Sequence, residues 1–354
     1  MLIDMLKMMM FSLLGAFLVS CTSVPAVPKG QSLQVYLASI PFKGSVLVVK
    51  DGHILHQKGY GFANDVLRVP NTKNTQFLIG SLGKQFTALA ILQLQDKKLL
   101  NIEDTIDSYL PNYPNGSIIT IKHLLTHSAG LPDYTDDWEN IRYQQFTPDQ
   151  LIDLFKHKPL VFKPGSKVRY SSSGYAVAGK IIEVVSGLTY AQFIEKNIFS
   201  LASMTRSAYG LSDNFAIGYK GNQPQPVVDM SVAYAAGALS STVADLYLWD
   251  RALHNYSLLS KESTALMFPT DRQALALGLG SGKYKVVMGL GWGIYQSNYG
   301  PEQAHTGHVD GYTSVISRFP SQNALIVILS NNDQFNVWAL KNRIAKAVLE
   351  ESKI

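Results

Sequence analysis

The chain has 354 residues, 46% hydrophobic and 16% charged, which places it outside the low-hydrophobicity, high-charge range of disordered proteins and allows two or three compact units. Lys and Arg total 31 against 26 Asp and Glu, and the net charge of +5 is spread along the sequence without the basic stripe that nucleic-acid binding requires. The single cysteine, Cys21, excludes a disulfide and a cysteine-based metal site from the fold.

In chain order, Met8 to Val19 form an apolar run behind Lys7, too short to cross a bilayer and of the kind found at the centre of a signal peptide. The run ends in Leu18-Val19-Ser20-Cys21, which resembles the bacterial lipoprotein box. The resemblance implies removal of residues 1–20, lipid on the Cys21 sulfur and a stable membrane anchor at the bacterial cell envelope, on its periplasmic side. Thr22 after the cysteine implies the outer membrane if the cell is Gram-negative. An ordinary secretory signal is the alternative, and the placement of the only cysteine favours the lipobox. Residues 21–33, with Pro25, Pro28 and Gly30, read as a tether.

From residue 34 the pattern is that of a folded domain. Two β-rich runs, Gly44 to Val49 and His53 to Phe62, flank Asp51-Gly52 and predict a hairpin. Ser81 to Leu94 is apolar nearly all round and predicts a helix buried on most sides. Helical periods follow at Ile121 to His127, Ala176 to Val185 and Val243 to Leu253, and strand signals return at Met288 to Gln296, Tyr312 to Phe319 and Ala324 to Leu329. Val337 to Glu350 closes the chain as an amphipathic helix. Strands at both ends around a helical middle predict an α+β fold: an antiparallel sheet built from about 34–80 and 285–354, with a helical region, about 81–284, inserted in it.

Ser81 and Lys84 form the only Ser-x-x-Lys in the chain and stand where a loop enters the buried helix. Spaced by three, they share a helix face. A serine hydroxyl needs a base to become a nucleophile, and a lysine can be that base once burial lowers its pKa. The same pattern also arises from a serine N-cap followed by a solvated lysine. Farther on come Tyr170-Ser171-Ser172 and His305-Thr306-Gly307, the latter just ahead of the strand beginning at Tyr312.

In this order the three motifs make the chain resemble the serine β-lactamase and penicillin-binding protein superfamily, whose signature is Ser-x-x-Lys, Ser-Asp-Asn and Lys-Thr-Gly. The tyrosine and histidine versions point to the class C-like branch, with its D-alanyl-D-alanine carboxypeptidases and serine esterases. Flanking matches are Leu124 to Leu131, Gly237 to Thr242 with Asp245-Leu246, and Gly289 to Gly293, so the resemblance spans about residues 34 to 344. It implies a β-lactamase/transpeptidase-like fold and acyl transfer to water, without metal or cofactor. Ser81 would be the nucleophile, Lys84 its proton partner and Tyr170 the relay to the leaving group, with His305, Thr306 and Gly307 on an edge strand beside the substrate. The backbone N–H groups of Ser81 and His308 would hold the oxyanion, a contribution of about 2.7 to 4 kcal/mol per donor.

Ser172 stands where the family has asparagine, which predicts weaker grip on a substrate amide, and His305 replaces the lysine of true class C β-lactamases, which argues against efficient antibiotic hydrolysis. The expected substrate is a small cell-wall D-alanyl peptide, an ester or an amide. The competing reading is a non-catalytic penicillin-binding-like lipoprotein that only holds such a peptide. Three further features read as structural. His123 and His127 have zinc-helix spacing without the glutamate, Gly278, Gly280 and Gly282 lack the strand and helix of a phosphate loop, and Trp249 and Trp292 read as core.

Overall fold

The structure, a computed structural model, describes residues 24–212, 215–269 and 286–350. Cys21 with residues 1–20, and Gly278 to Lys283, lie outside the described residues. Seven strands form one antiparallel sheet in the order β3-β4-β5-β6-β7-β1-β2: β1 (Gly44–Lys50), β2 (His53–Tyr60), β3 (Val287–Met288), β4 (Gly293–Ser297), β5 (Gly300–Val309), β6 (Tyr312–Phe319) and β7 (Ala324–Ser330). Pairing of β1 with β7, Val46 opposite Ile328, joins the two ends of the chain at the middle of the sheet. The Asp51-Gly52 turn has positive φ at both residues (50° and 78°), the twist that matches a hairpin.

The central strands β1, β6 and β7 are buried on both faces, which is why β1 and β7 read as unbroken apolar runs. Val46, Val48, Ile326 and Ile328 face a back layer made by α1 (Leu33–Ser39) and α6 (Val337–Glu350). Leu47, Val49, Leu325 and Val327 face the helical region. There the central piece is α2 (Gly83–Asp96), buried from Gly83 to Leu94, packed against α3 (Ser172–Ser186) and α4 (Met230–Gly237), with α5 (Val243–His254) closing onto the sheet. Trp249 and Trp292 are buried core residues, and Trp249 donates to Gln85 Oε1 at 3.1 Å.

Three expectations need correction. The described part of the 21–33 tether is mostly exposed but is fixed where it begins: Val24 is buried, its carbonyl accepts from Arg343 Nε at 3.1 Å, and the Pro25 carbonyl accepts from the Tyr36 hydroxyl at 2.7 Å. Proline removes donors but leaves carbonyls, and these carbonyls found partners on α1 and α6. The strand expected over Met288 to Gln296 is the β3-β4 hairpin, because Gly289 N–H donates to the Trp292 carbonyl at 2.8 Å and closes a turn. The helical region also holds a small antiparallel sheet of Phe77–Leu78, Leu239–Ser241 and Ala208–Tyr209, whose strands are too short to show a period.

Candidate active site

Ser81 sits in a tight 3-10 turn, Gly80–Leu82, that runs directly into α2. Lys84, one turn on, is fully buried with its Nζ 3.0 Å from Ser81 Oγ. Burial in this apolar helix pulls the Lys84 pKa from 10.5 to about 7, with the Asp133 carboxylate acting in the opposite sense. Two more oxygens surround the amine: the Ala236 carbonyl at 2.8 Å and the Ser172 hydroxyl at 3.4 Å. A neutral lysine has two N–H groups and one lone pair. The carbonyl can only accept, so it takes one N–H; with the second directed to Ser172, the lone pair is left for the Ser81 proton.

Ala236 presents that carbonyl because the chain breaks inside α4. Tyr234 has φ 39° and ψ −133°, a strained conformation for a residue with a side chain, and the two carbonyls that follow turn toward α2: Ala235 O accepts from Thr87 Oγ1 at 2.6 Å and Ala236 O from Lys84.

The second motif comes in at the start of α3. Ser171 caps the helix, its hydroxyl accepting from Ser173 N–H, so Ser172 begins the first turn with its hydroxyl toward Lys84. Tyr170, just before the cap, has its ring 5.0 Å from Lys84 Nζ, and its hydroxyl interacts with Ser81. Burial raises the Tyr170 pKa well above 10, the Ser81 contact partly offsetting it, so the phenol stays protonated. The Tyr170 ring stacks on His127, centroids 4.3 Å apart. His127 is buried, and its Nδ1 accepts from Ser171 N–H at 3.1 Å. His123 instead caps its own short helix, Ile121–Leu125, so the two histidines do not share a helix face, and among the described residues no group suited to hold a metal ion is present.

The third motif lies on β5. That strand is flanked by β4 and β6, so it is not an edge over its whole length. Its pairing with β4 ends at Gly293 opposite Ala304, and beyond that point Gly307 and His308 lie against the turn that carries Ser81. His305 is buried and its Nδ1–H donates to the Thr306 carbonyl at 2.6 Å, which leaves Nε2 as the lone-pair nitrogen. Burial, then the charge of Lys84, lowers its pKa to about 4, so His305 is uncharged at neutral pH. The Thr306 side chain is exposed. Glycine is required where the Ser81 turn meets this strand: a Cβ on Gly307 would lie 1.9 Å from the Ile79 carbonyl oxygen, and one on Gly80 2.8 Å from His308 N. Those contacts set the Ser81 and His308 segments side by side.

Sequence reasoning brought forward Ser81, Lys84, Tyr170, Ser172, His305, Thr306, Gly307 and His308, and the fold brings the three motifs that carry them together around the Ser81 turn. It missed Asp133, Ala236 and Tyr234. Asp133 follows Leu131-Pro132 at the end of a stretch noted for its match, and its Oδ2 accepts the Ser172 N–H at 3.1 Å. An acid in a Pro-Asp turn was its only signal, and a backbone carbonyl such as that of Ala236 has none.

A family model described as Beta-lactamase matches residues 43–350. PbpX of Bacillus subtilis (strain 168), named as a penicillin-binding protein, is 32% identical over 338 residues, covering 93% of this chain and 81% of its own. A Staphylococcus aureus (strain MRSA252) protein named teichoic acid D-alanine hydrolase is 30% identical over 248 residues, 67% of this chain and 60% of that one. A solved penicillin-binding protein from Bacillus halodurans superposes with a TM-score of 0.75 at 27% identity, covering 86% of this chain and 96% of that chain. With the match running from β1 to the end of α6, this chain belongs to the β-lactamase family and has the fold of its penicillin-binding serine hydrolases.

Proposed function

We propose that the protein hydrolyses D-alanyl esters and amides of the cell envelope through an acyl-Ser81 intermediate. The observation that carries the proposal is a fully buried lysine, its pKa lowered to about 7, with Nζ 3.0 Å from a serine hydroxyl. Lys84 takes the Ser81 proton as Oγ bonds to the acyl carbon. The N–H groups of Ser81 and His308 hold the carbonyl oxygen as it becomes negative. As the tetrahedral centre collapses, the protonated Tyr170 passes a proton to the leaving alcohol or amine and is reprotonated from Lys84. Water then repeats the sequence on the acyl-serine, with the carboxylic acid as product and Ser81 restored.

The uncharged His305 favours substrates of one kind. β-Lactams and stem peptides carry a free carboxylate, for which a neutral imidazole supplies no countercharge. An ester whose acyl group is D-alanine itself carries no carboxylate at that place, and the relative named teichoic acid D-alanine hydrolase bears the name of such a reaction. The lipobox reading places the enzyme at the envelope, held by lipid on Cys21.

Intact mass spectrometry after exposure to a fluorophosphonate tests the nucleophile. One adduct is expected on the wild type and none on Ser81→Ala, with the circular dichroism spectrum and melting temperature nearly unchanged. An adduct on the alanine variant, or none on the wild type, would overturn the proposal in favour of a protein that only binds.

A further inference from the structure

Acyl transfer through Ser81 gives Asp133 no task, yet it stands next to the base. Its Oδ2 accepts the N–H of Ser172, whose hydroxyl is the group 3.4 Å from Lys84 Nζ, so a single residue separates carboxylate from amine. Its Oδ1 accepts the Thr135 N–H at 3.1 Å. Each oxygen keeps another lone pair, and Asp133 forms no ion pair with a lysine or arginine among the described residues. A partly buried carboxylate without a countercharge, placed where it favours the wrong protonation state of the base, calls for a reason.

Resting on the reading of Ser81 and Lys84 as nucleophile and base, we propose that Asp133 is the subsite for the α-ammonium of an aminoacyl ester, and that docking of this cation releases Lys84 to act as base. The ammonium of a D-alanyl ester is carried by the carbon bonded to the one Ser81 attacks, so it must settle among the groups around Ser81. Tyr170, Ser172 and His305 are uncharged there, a protonated Lys84 would repel it, and Asp133, which accepts the Ser172 N–H, is the acid beside them that no lysine or arginine pairs among the described residues.

The electrostatics give the direction of the coupling. The other groups facing Lys84 are Tyr170 and Tyr175, with pKa values raised by burial, and His127 and His305, with pKa values lowered by burial. All four are neutral at pH 7, which leaves Asp133 as the charge that holds a proton on Lys84. An ammonium at Asp133 offsets that charge and adds its own repulsion, so Lys84 gives its proton to solvent and presents a lone pair to Ser81 when an aminoacyl substrate is in place.

The test compares D-alanine methyl ester, N-acetyl-D-alanine methyl ester and p-nitrophenyl acetate in the wild type, Asp133→Asn and Asp133→Glu. In the wild type kcat/KM should favour the free ammonium ester over its acetylated form by about 30-fold or more, the scale of losing one partner of a desolvated charge pair. The acid limb of kcat, which reports the enzyme–substrate complex, should lie at lower pH for the ammonium ester. Asp133→Asn should lose the preference, and its acid limb of kcat/KM on p-nitrophenyl acetate should move to lower pH, because the charge that raised the Lys84 pKa is gone; Asp133→Glu should keep the preference. A preference that survives in Asp133→Asn, or an acid limb on acetate that stays or rises, overturns the inference, and it is the ammonium preference that a merely structural role for Asp133 would leave unmoved. If Asp133→Asn does not fold, equal acid limbs of kcat for the two alanine esters in the wild type do the same. Turnover of p-nitrophenyl acetate without any ammonium preference sinks this inference alone. No turnover of p-nitrophenyl acetate sinks the base reading and the inference with it.

Discussion

Lys84 decides what the site can do, and its environment sets the pH at which it does so. Folding gives it a pKa of about 7, so the base form is present above that pH and lost below it. Acylation by p-nitrophenyl acetate, followed by stopped flow, is therefore expected to rise with pH through an inflection near 7, far below the ordinary lysine value. Lys84→Arg, which cannot deprotonate, should show no acylation. An active arginine variant would mean that the position supplies only positive charge. Ser172 is the second decisive residue. Its hydroxyl serves Lys84 but reaches less far toward a substrate amide than a carboxamide, and an unpaired buried polar group costs about 1 to 3 kcal/mol, or roughly five- to a hundredfold in rate. Ser172→Asn should raise the ratio of cephalosporin to p-nitrophenyl ester kcat/KM within that range. A flat or falling ratio would remove Ser172 as the reason for ester preference.

At the scale of elements, the catalytic geometry depends on how closely β5 approaches the turn before α2. Gly307 permits that approach, and the Ser314 hydroxyl fastens the same place by donating to the Ile79 carbonyl at 2.8 Å. Gly307→Ala forces a methyl group into the Ile79 carbonyl. Overpacking of this kind costs about 1 to 3 kcal/mol, and the melting temperature should fall by several degrees. Because the strain falls between Ser81 and His308, esterase activity should fall more than the fraction folded at the assay temperature. A variant with native activity and melting temperature would show that β5 can move away at no cost. The end of β5 is fastened as well: Asp310, two residues past His308, accepts from Trp138 Nε1 at 2.9 Å and Arg142 NH1 at 2.6 Å, tying the helical region to the β5-β6 turn.

Across the whole molecule, the sheet separates two layers. The site lies on the face covered by the helical region, whereas Val24 is fixed to the back layer, three residues after Cys21. A lipid on Cys21 would therefore hold the body by its back layer on a short leash. Full-length protein expressed in a bacterium is expected to incorporate labelled palmitate and to sediment with membranes, and Cys21→Ser should abolish the labelling. Label on the serine variant would refute the lipobox reading.

The sequence by itself determined the hairpin at Asp51-Gly52, the strands at Tyr312–Phe319 and, to within one residue, Ala324–Ser330, the helix at Val337–Glu350 and the three motifs, because each is written in local chemistry: turn residues, apolar runs or a fixed spacing. It did not determine what depends on contacts between distant segments. The lowered pKa of Lys84 comes from burial where α3 and α4 pack against α2, and the Ala236 carbonyl reaches it across 152 positions of the chain. The packing of Val24 and Pro25 against Arg343 and Tyr36 was hidden for the same reason, since a proline-rich stretch gives no sign of whether its carbonyls find partners. Asp133 is the clearest case. In sequence it is an acid in a turn, and only the fold sets it one residue away from Lys84, where its charge acts on the base through low-dielectric surroundings rather than through water.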